Sequence, residues 1–135
     1  NITWEKPNPP PNLSCRFFTH STETLLWAKK GKKAKHTFHY DAMKAQNGGK
    51  QMKCVWQFTP PNKLEKTFGK HPTQKPLALL ERCILAASNP GDLIFDPFMG
   101  SGTTGVAALK HGRQFCGCEV ETDYFELAQK RMKHD

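Results

Sequence analysis

The sequence predicts an α/β fold in which parallel strands alternate with helices, and three observations predict it. From Pro76 onward, apolar helical periodicity and short apolar strands succeed one another as helix, strand, helix, strand, helix. Leu93-Ile94-Phe95-Asp96 is a short apolar run ending in an acid. The glycine-rich turn Gly100-Ser101-Gly102 follows it and leads into a helix-like segment. A second acid, Glu119, closes the next strand-like run, at roughly the spacing of a ribose-binding carboxylate.

Each element has its own signal. Residues 2–5 and 22–28 are β-like, the second rich in Thr, Leu and Trp, and together they suggest a hairpin-like pair joined by a long loop. Lys6-Pro7-Asn8-Pro9-Pro10-Pro11 ends the first, because successive prolines cannot join a sheet interior. Residues 29–70 show no sustained periodicity. They carry Asn47-Gly48-Gly49, Pro60-Pro61 and scattered aromatics, and are expected to be irregular. Pro76 suits the first turn of a helix that runs to Ser88, with Leu77, Leu80, Ile84 and Ala87 as its apolar face and Asn89-Pro90-Gly91 as its stop. A strand is expected at Leu93–Phe95, a helix at Thr103–His111, and a strand at Gln114–Cys118. The final helix is expected at Asp123–Met132 with Thr122 as its cap. Right-handed crossover makes the two strands parallel neighbours.

Composition narrows the function. The 135 residues suit one domain or part of one, and the formal charge of +8 is unevenly placed. Residues 29–75 hold twelve lysines against Asp41 and Glu65, whereas residues 1–28 are neutral and residues 76–135 carry a net −2. A basic stretch between such flanks points to a polyanion-binding surface. Lys29, Lys30, Lys32, Lys33 and Lys35 lie within seven residues and suit phosphates. His36, His39, Gln46, Asn47, Lys50 and Gln51 supply donors and acceptors for base edges. The five cysteines are odd in number and lack disulfide-like spacing, which reads as reduced thiols in an intracellular protein. Cys116-Gly117-Cys118 near His111 has no second pair to complete a tetrahedron, so no metal is expected. No segment has the length and apolarity of a membrane span, and no secretory signal is present. The chain opens inside a strand-like phrase without an initiating Met, which reads as a fragment of a longer chain.

The glycine pattern alone would admit a nicotinamide cofactor. Asp96 shifts the balance, because a carboxylate at the strand end would repel a pyrophosphate and attract an ammonium or a sulfonium. S-adenosylmethionine carries both, together with a ribose whose hydroxyls Glu119 can accept. Phe98 and Met99 offer it apolar surface.

Asp96-Pro97-Phe98-Met99-Gly100-Ser101-Gly102-Thr103-Thr104 closely resembles motif I of the DNA amino-methyltransferases. His71-Pro72-Thr73-Gln74-Lys75-Pro76 resembles their motif X, and Gly117-Cys118-Glu119 with the Tyr124-Phe125 helix resembles motif II. Trp4-Glu5-Lys6-Pro7-Asn8-Pro9 and Glu23-Thr24-Leu25-Leu26-Trp27-Ala28 resemble the late motifs that precede target recognition. The order of these motifs is that of the β class, and only residues 36–66 lack a match. The resemblance implies a Rossmann-like S-adenosylmethionine-dependent methyltransferase fold, present in part, with an inserted target-recognition region. Residues 1–28 would end the catalytic half, residues 29–70 would form the basic insert, and residues 71–135 would bind the cofactor. It implies that Thr73, Gln74 and Lys75 line the methionine end of S-adenosylmethionine. Asp96, Phe98, Gly100, Ser101, Gly102 and Glu119 would complete the site. His71 reads as structural.

The family's catalytic Asp/Asn/Ser-Pro-Pro-aromatic is not found: Asn8-Pro9-Pro10 is followed by Pro11, and Thr59-Pro60-Pro61 by Asn62. No catalytic residue is therefore expected in this chain, and the motif is expected in an absent N-terminal half. The implied reaction is methylation of adenine N6 in duplex DNA, with cytosine N4 as the alternative. A nicotinamide-dependent oxidoreductase fragment and a non-catalytic DNA-binding module remain as readings from other classes. The implied setting is the cytoplasm and nucleoid of a prokaryotic cell or its phage. A homodimer is compatible with all of this.

Overall fold

The computed structural model describes residues 1–134 and contains two small sheets joined by one helix. Strand β1 (Ile2–Glu5) pairs antiparallel with β2 (Thr22–Leu25), the expected hairpin-like pair, and parallel with β3 (Val55–Gln57), giving the order β2-β1-β3. The second sheet is the parallel pair β4 (Leu93–Asp96) and β5 (Gln114–Gly117), with Leu93 opposite Gln114 and Asp96 opposite Gly117. Helices α2 (Leu77–Ala87), α3 (Thr103–Lys110) and α4 (Thr122–His134) complete the alternation that the sequence predicts. Several ends differ from expectation by one or two residues, and β2 stops at Leu25, three residues before the expected end at Ala28. Thr122 stands in the first turn of α4 rather than before it.

Residues 29–70 are not irregular throughout. They contain α1 (Tyr40–Gln46), β3 and a 3-10 turn at Leu64–Lys66. Helix α1 is held from its ends. The Gly49 N–H donates to Lys44 O, and the His39 N–H donates to Ala86 O at the end of α2. One residue, Met43, is fully buried beneath it.

Helix α2 is the keystone. Toward the first sheet Leu79 packs with Trp4 and Trp56. Toward the second, Ile84 packs with Ala107 and Ala108 of α3, and Leu80 touches both clusters. The expected apolar face holds in part: Ile84 is buried with Leu77 and Leu80 packed beside it, Leu79 and Ala86 are buried as well, and Ala87 is corrected to exposed. A helix packed on two sides needs a wider apolar stripe than one resting on a single sheet. Its first turn is secured by Glu65, whose Oε2 accepts the Leu77 N–H at 2.8 Å, a favourable place for a carboxylate. Its last turn is secured by buried Arg113, which donates to Ser88 Oγ and O at 3.1 and 2.6 Å.

The β4–β5 sheet is covered on one face, where Ile94 and Phe115 meet α2 and α3. The other face leaves Leu93 63% and Phe95 60% exposed. A parallel pair is ordinarily buried on both faces.

Among the described residues no helix is long and apolar enough to cross a membrane, and no group of three metal-ligating side chains gathers. All five cysteines are free thiols.

Candidate cofactor site

The glycine-rich turn leaves β4 and enters α3 under close steric control. Gly102 caps α3 in the left-handed region, with φ at +74°, and a Cβ there would lie 2.8 Å from Ala128 Cβ on α4. Gly100, with φ at +52°, sits against the ring of His71. Asp96 orders the turn directly. Its Oδ1 accepts the Phe98 N–H at 3.1 Å and its Oδ2 accepts the Thr104 hydroxyl at 2.7 Å.

Beside this turn lies a cavity of about 130 Å³. His71, Thr73, Gln74, Lys75 and Leu80 line one side, and Asp96, Phe98, Met99, Gly100, Ser101, Thr103 and Thr104 the other. Two stretches more than twenty residues apart thus meet at the C-terminal end of β4, where ligands enter open α/β sheets. Seven of the nine expected cofactor residues line the cavity. Gly102 and Glu119 do not line it: Gly102 faces Ala128 on α4, and Glu119 meets the lining residue Gly100 at the Gly100 backbone N–H.

Gln74 is the most informative of these. It is 7% exposed, and its Nε2 donates to Glu65 O at 2.7 Å. Its Oε1 has no hydrogen-bond partner among the described residues. A buried, unsatisfied acceptor costs on the order of 1–3 kcal/mol, which a ligand N–H would relieve. Lys75 is anchored instead of free: its Nζ lies 2.7 Å from Glu23 Oε2, while Lys6 takes Glu23 Oε1 at 2.7 Å. This paired contact ties the cavity wall to β2, and both cations hold the Glu23 carboxyl below its ordinary range against the opposing effect of burial.

Glu119 follows β5 and turns back on the glycine-rich turn. Its Oε2 accepts the Gly100 N–H at 2.9 Å, and its Oε1 accepts those of Val120 and Glu121 at 2.8 and 3.0 Å. These bonds, the Glu121 N–H first among them, hold its carboxyl below the usual glutamate range. A carboxylate has about four acceptor directions, so one remains on Oε2 for a hydroxyl.

His71, expected to be structural, and Arg131, absent from the expected site, both reach this turn. His71 lines the cavity, packs edge-on against Tyr124 with ring centroids 4.2 Å apart, and presents Nδ1 to the Thr73 N–H at 3.2 Å. Its place in the motif X phrase was the available signal. Arg131, 2% exposed, reaches the turn from α4, and nothing in its local sequence announces that.

The expected DNA-facing residues are dispersed. Lys29, Lys30, Lys32, Lys33, Lys35 and His36 lie on the exposed connection after β2, where His36 packs edge-on against Trp27 and Lys29 donates to Lys32 O. Lys50 lines a separate cavity of about 420 Å³ with Glu5, Asn47, Gln51, Lys53, Gln57 and Arg82. His39 joins neither group. Its Nε2 is 3.1 Å from Ser88 O, so its ring helps seat α1 on the end of α2.

Comparison with known proteins agrees with this arrangement. The chain is 60% identical over 134 residues to the Type II methyltransferase M2.DpnII of Streptococcus pneumoniae, covering 98% of this chain and 50% of that protein. It spans about half the length of the curated relatives it matches. Among solved structures, the M1.HpyAVI–SAM complex superposes with a TM-score of 0.82 at 44% identity, over 97% of this chain and 60% of that one. The PvuII cytosine-N4-specific DNA methyltransferase shares the fold, with a TM-score of 0.78 at 22% identity, over 96% of this chain and 49% of that one. Residues 1–130 match the N6/N4 DNA methylase family, and with the glycine-rich turn, its two acids and the 71–75 wall in place, the chain belongs to that family.

Proposed function

We propose that this chain is the cofactor-binding and DNA-recognition portion of an S-adenosylmethionine-dependent enzyme that methylates adenine N6 in duplex DNA. The observation that carries the reading is the meeting of residues 71–75 with residues 96–104 around one cavity, with the unsatisfied Gln74 Oε1 at its wall. The residues fit the cofactor's methionine end. Gln74 Oε1 and Asp96 offer acceptors to an ammonium, Ser101 and Thr103 offer hydroxyls, and Met99 supplies apolar surface. About 130 Å³ is small beside the ~300–1,000 Å³ of complete small-molecule sites. The cavity therefore takes one end of the cofactor, and the adenosine lies outward past Gly100 toward Glu119 and the 88%-exposed Phe98. When bound, S-adenosylmethionine supplies an electrophilic methyl group. This chain's residues bind it, orient it and hold the turn still.

Gripping the target base and its amine falls to groups outside residues 1–135, since no Asp/Asn/Ser-Pro-Pro-aromatic occurs here. The exposed Leu93 and Phe95 and the unpaired outer edges of β2 and β4 are the surfaces that further strands and helices of the longer enzyme would cover. The lysine-rich connection after β2 contacts phosphates, while the Lys50 cavity, with its amide side chains, faces base edges.

Nucleoside analysis of duplex DNA methylated by the longer enzyme tests the reading. N6-methyladenine is expected. N4-methylcytosine would move the target to the alternative base, and the absence of either would refute the assignment.

A further inference from the structure

Beneath the glycine-rich turn, Arg131 makes a set of contacts that fixes the polarity of the cavity. Its Nη1 donates to Ser101 O at 2.8 Å, Ser101 Oγ at 3.0 Å and Thr103 Oγ1 at 2.9 Å. Ser101 is 4% exposed and Thr103 5%, and both line the cavity. A guanidinium can only donate, so both hydroxyl oxygens are used as acceptors on the Arg131 side. Their protons must point elsewhere. The two oxygens lie 3.4 Å apart, close enough for one proton to be spent between them. At least one hydroxyl proton is left to aim at the cavity. Across from it, on the wall formed by residues 71–75, stands the unpartnered acceptor Gln74 Oε1. The cavity is therefore bipolar, with hydroxyl donors on the α3 side and an acceptor opposite, which matches the carboxylate and ammonium of an α-amino acid.

We infer that Arg131 is a positioning residue that turns Ser101 and Thr103 into hydrogen-bond donors for the carboxylate of the cofactor's amino-acid end. The inference rests on the proposed cofactor reading and assigns the carboxylate to a particular part of that site. Arg131 acts through the two hydroxyls and touches no ligand itself. Its backbone contact to Ser101 O fixes the turn from which Ser101 projects.

The test uses two ligands that differ only in the carboxylate: S-adenosylhomocysteine and its decarboxylated analogue. Their affinities are measured by titration calorimetry for the parent chain, Arg131→Lys and Ser101→Ala. Loss of a hydrogen bond to a charged group corresponds to a roughly tenfold to hundredfold weakening. Each substitution should weaken S-adenosylhomocysteine by about that factor and leave the decarboxylated analogue within about twofold. Ser101→Ala keeps the buried guanidinium on Ser101 O and Thr103, so it reports on the hydroxyl even if Arg131→Lys unfolds. Equal weakening of both ligands, or of neither, would overturn the role of Arg131 while leaving the cofactor site standing. Failure of the parent chain to bind S-adenosylhomocysteine would overturn the site assignment and this inference with it.

Discussion

Glu119 ties the fold to the proposed cofactor site. Three backbone N–H groups, from Gly100, Val120 and Glu121, converge on it and favour its charged form. A carboxyl whose folded-state affinity for protons is lowered contributes above its ordinary titration range and is lost only as pH falls through the lowered value. Cofactor affinity should accordingly be flat from neutrality down to the ordinary glutamate range, near ~4.3, and fall only below it. A pH series of calorimetric titrations checks this, and a fall beginning near pH 6 would contradict it. Glu119→Ala should weaken cofactor binding about tenfold, the scale of a lost charge-assisted bond to a hydroxyl. Unchanged affinity would remove Glu119 from the site. Asp96, Gly100, Ser101 and Glu119 could be read as candidates because each lies at a strand end or in the turn beside it. Arg131 was not legible as a residue of that turn, because only tertiary packing brings α4 onto it, whereas His71 stands in the motif X phrase and was read as structural. Lys75 was legible as part of the wall, but its pairing with Glu23 across fifty-two residues was not.

At the scale of elements, the path from β4 into α3 depends on Gly102. The position combines a left-handed backbone with the Ala128 Cβ 2.8 Å from where a side chain would begin. Gly102→Ala should destabilise the fold by about 1–3 kcal/mol, through backbone strain and overpacking together. Thermal unfolding monitored by circular dichroism checks it, and an unaltered midpoint would mean that α4 yields without cost. Alternating helices and strands from residue 77 onward could be read because each run is long enough to show its period and is punctuated by glycine or proline. Helix α1 and strand β3 could not. Seven residues with one buried side chain and three residues around Trp56 are too short to show a period, and both form through contacts with α2 and β1. The lysine-rich connection after β2 carries a separate expectation. Replacing Lys30, Lys32 and Lys33 with alanine should flatten the salt dependence of DNA binding by up to ~0.9 in log–log slope per lost phosphate contact. The methylated sequence should not change. An identical slope would leave these lysines as a solvated run.

For the whole molecule, one helix joins two small sheets. Leu93 and Phe95 are exposed on β4, and an apolar cavity of about 220 Å³ lies among Leu25, Trp27, Trp56 and Cys83. Burial there pushes the Cys83 thiol up to about 11, so it stays protonated and inert at neutral pH. Under the proposed reading, in which the chain carries cofactor and DNA surfaces and the group that grips the target amine lies elsewhere, it should bind without turning over. The 135-residue chain should therefore transfer no labelled methyl to unmethylated duplex DNA. Turnover abolished by Asn8→Ala would identify Asn8-Pro9-Pro10 as the catalytic phrase after all, and turnover surviving it would place the catalytic group elsewhere in the chain. The cavity at the end of β4 is tested by a crystal structure of the chain soaked with S-adenosylhomocysteine. The amino-acid end is expected between Gln74 and Ser101, and the ribose within hydrogen-bond distance of Glu119. A ligand bound elsewhere, or one whose ribose points away from Glu119, would contradict the proposed site.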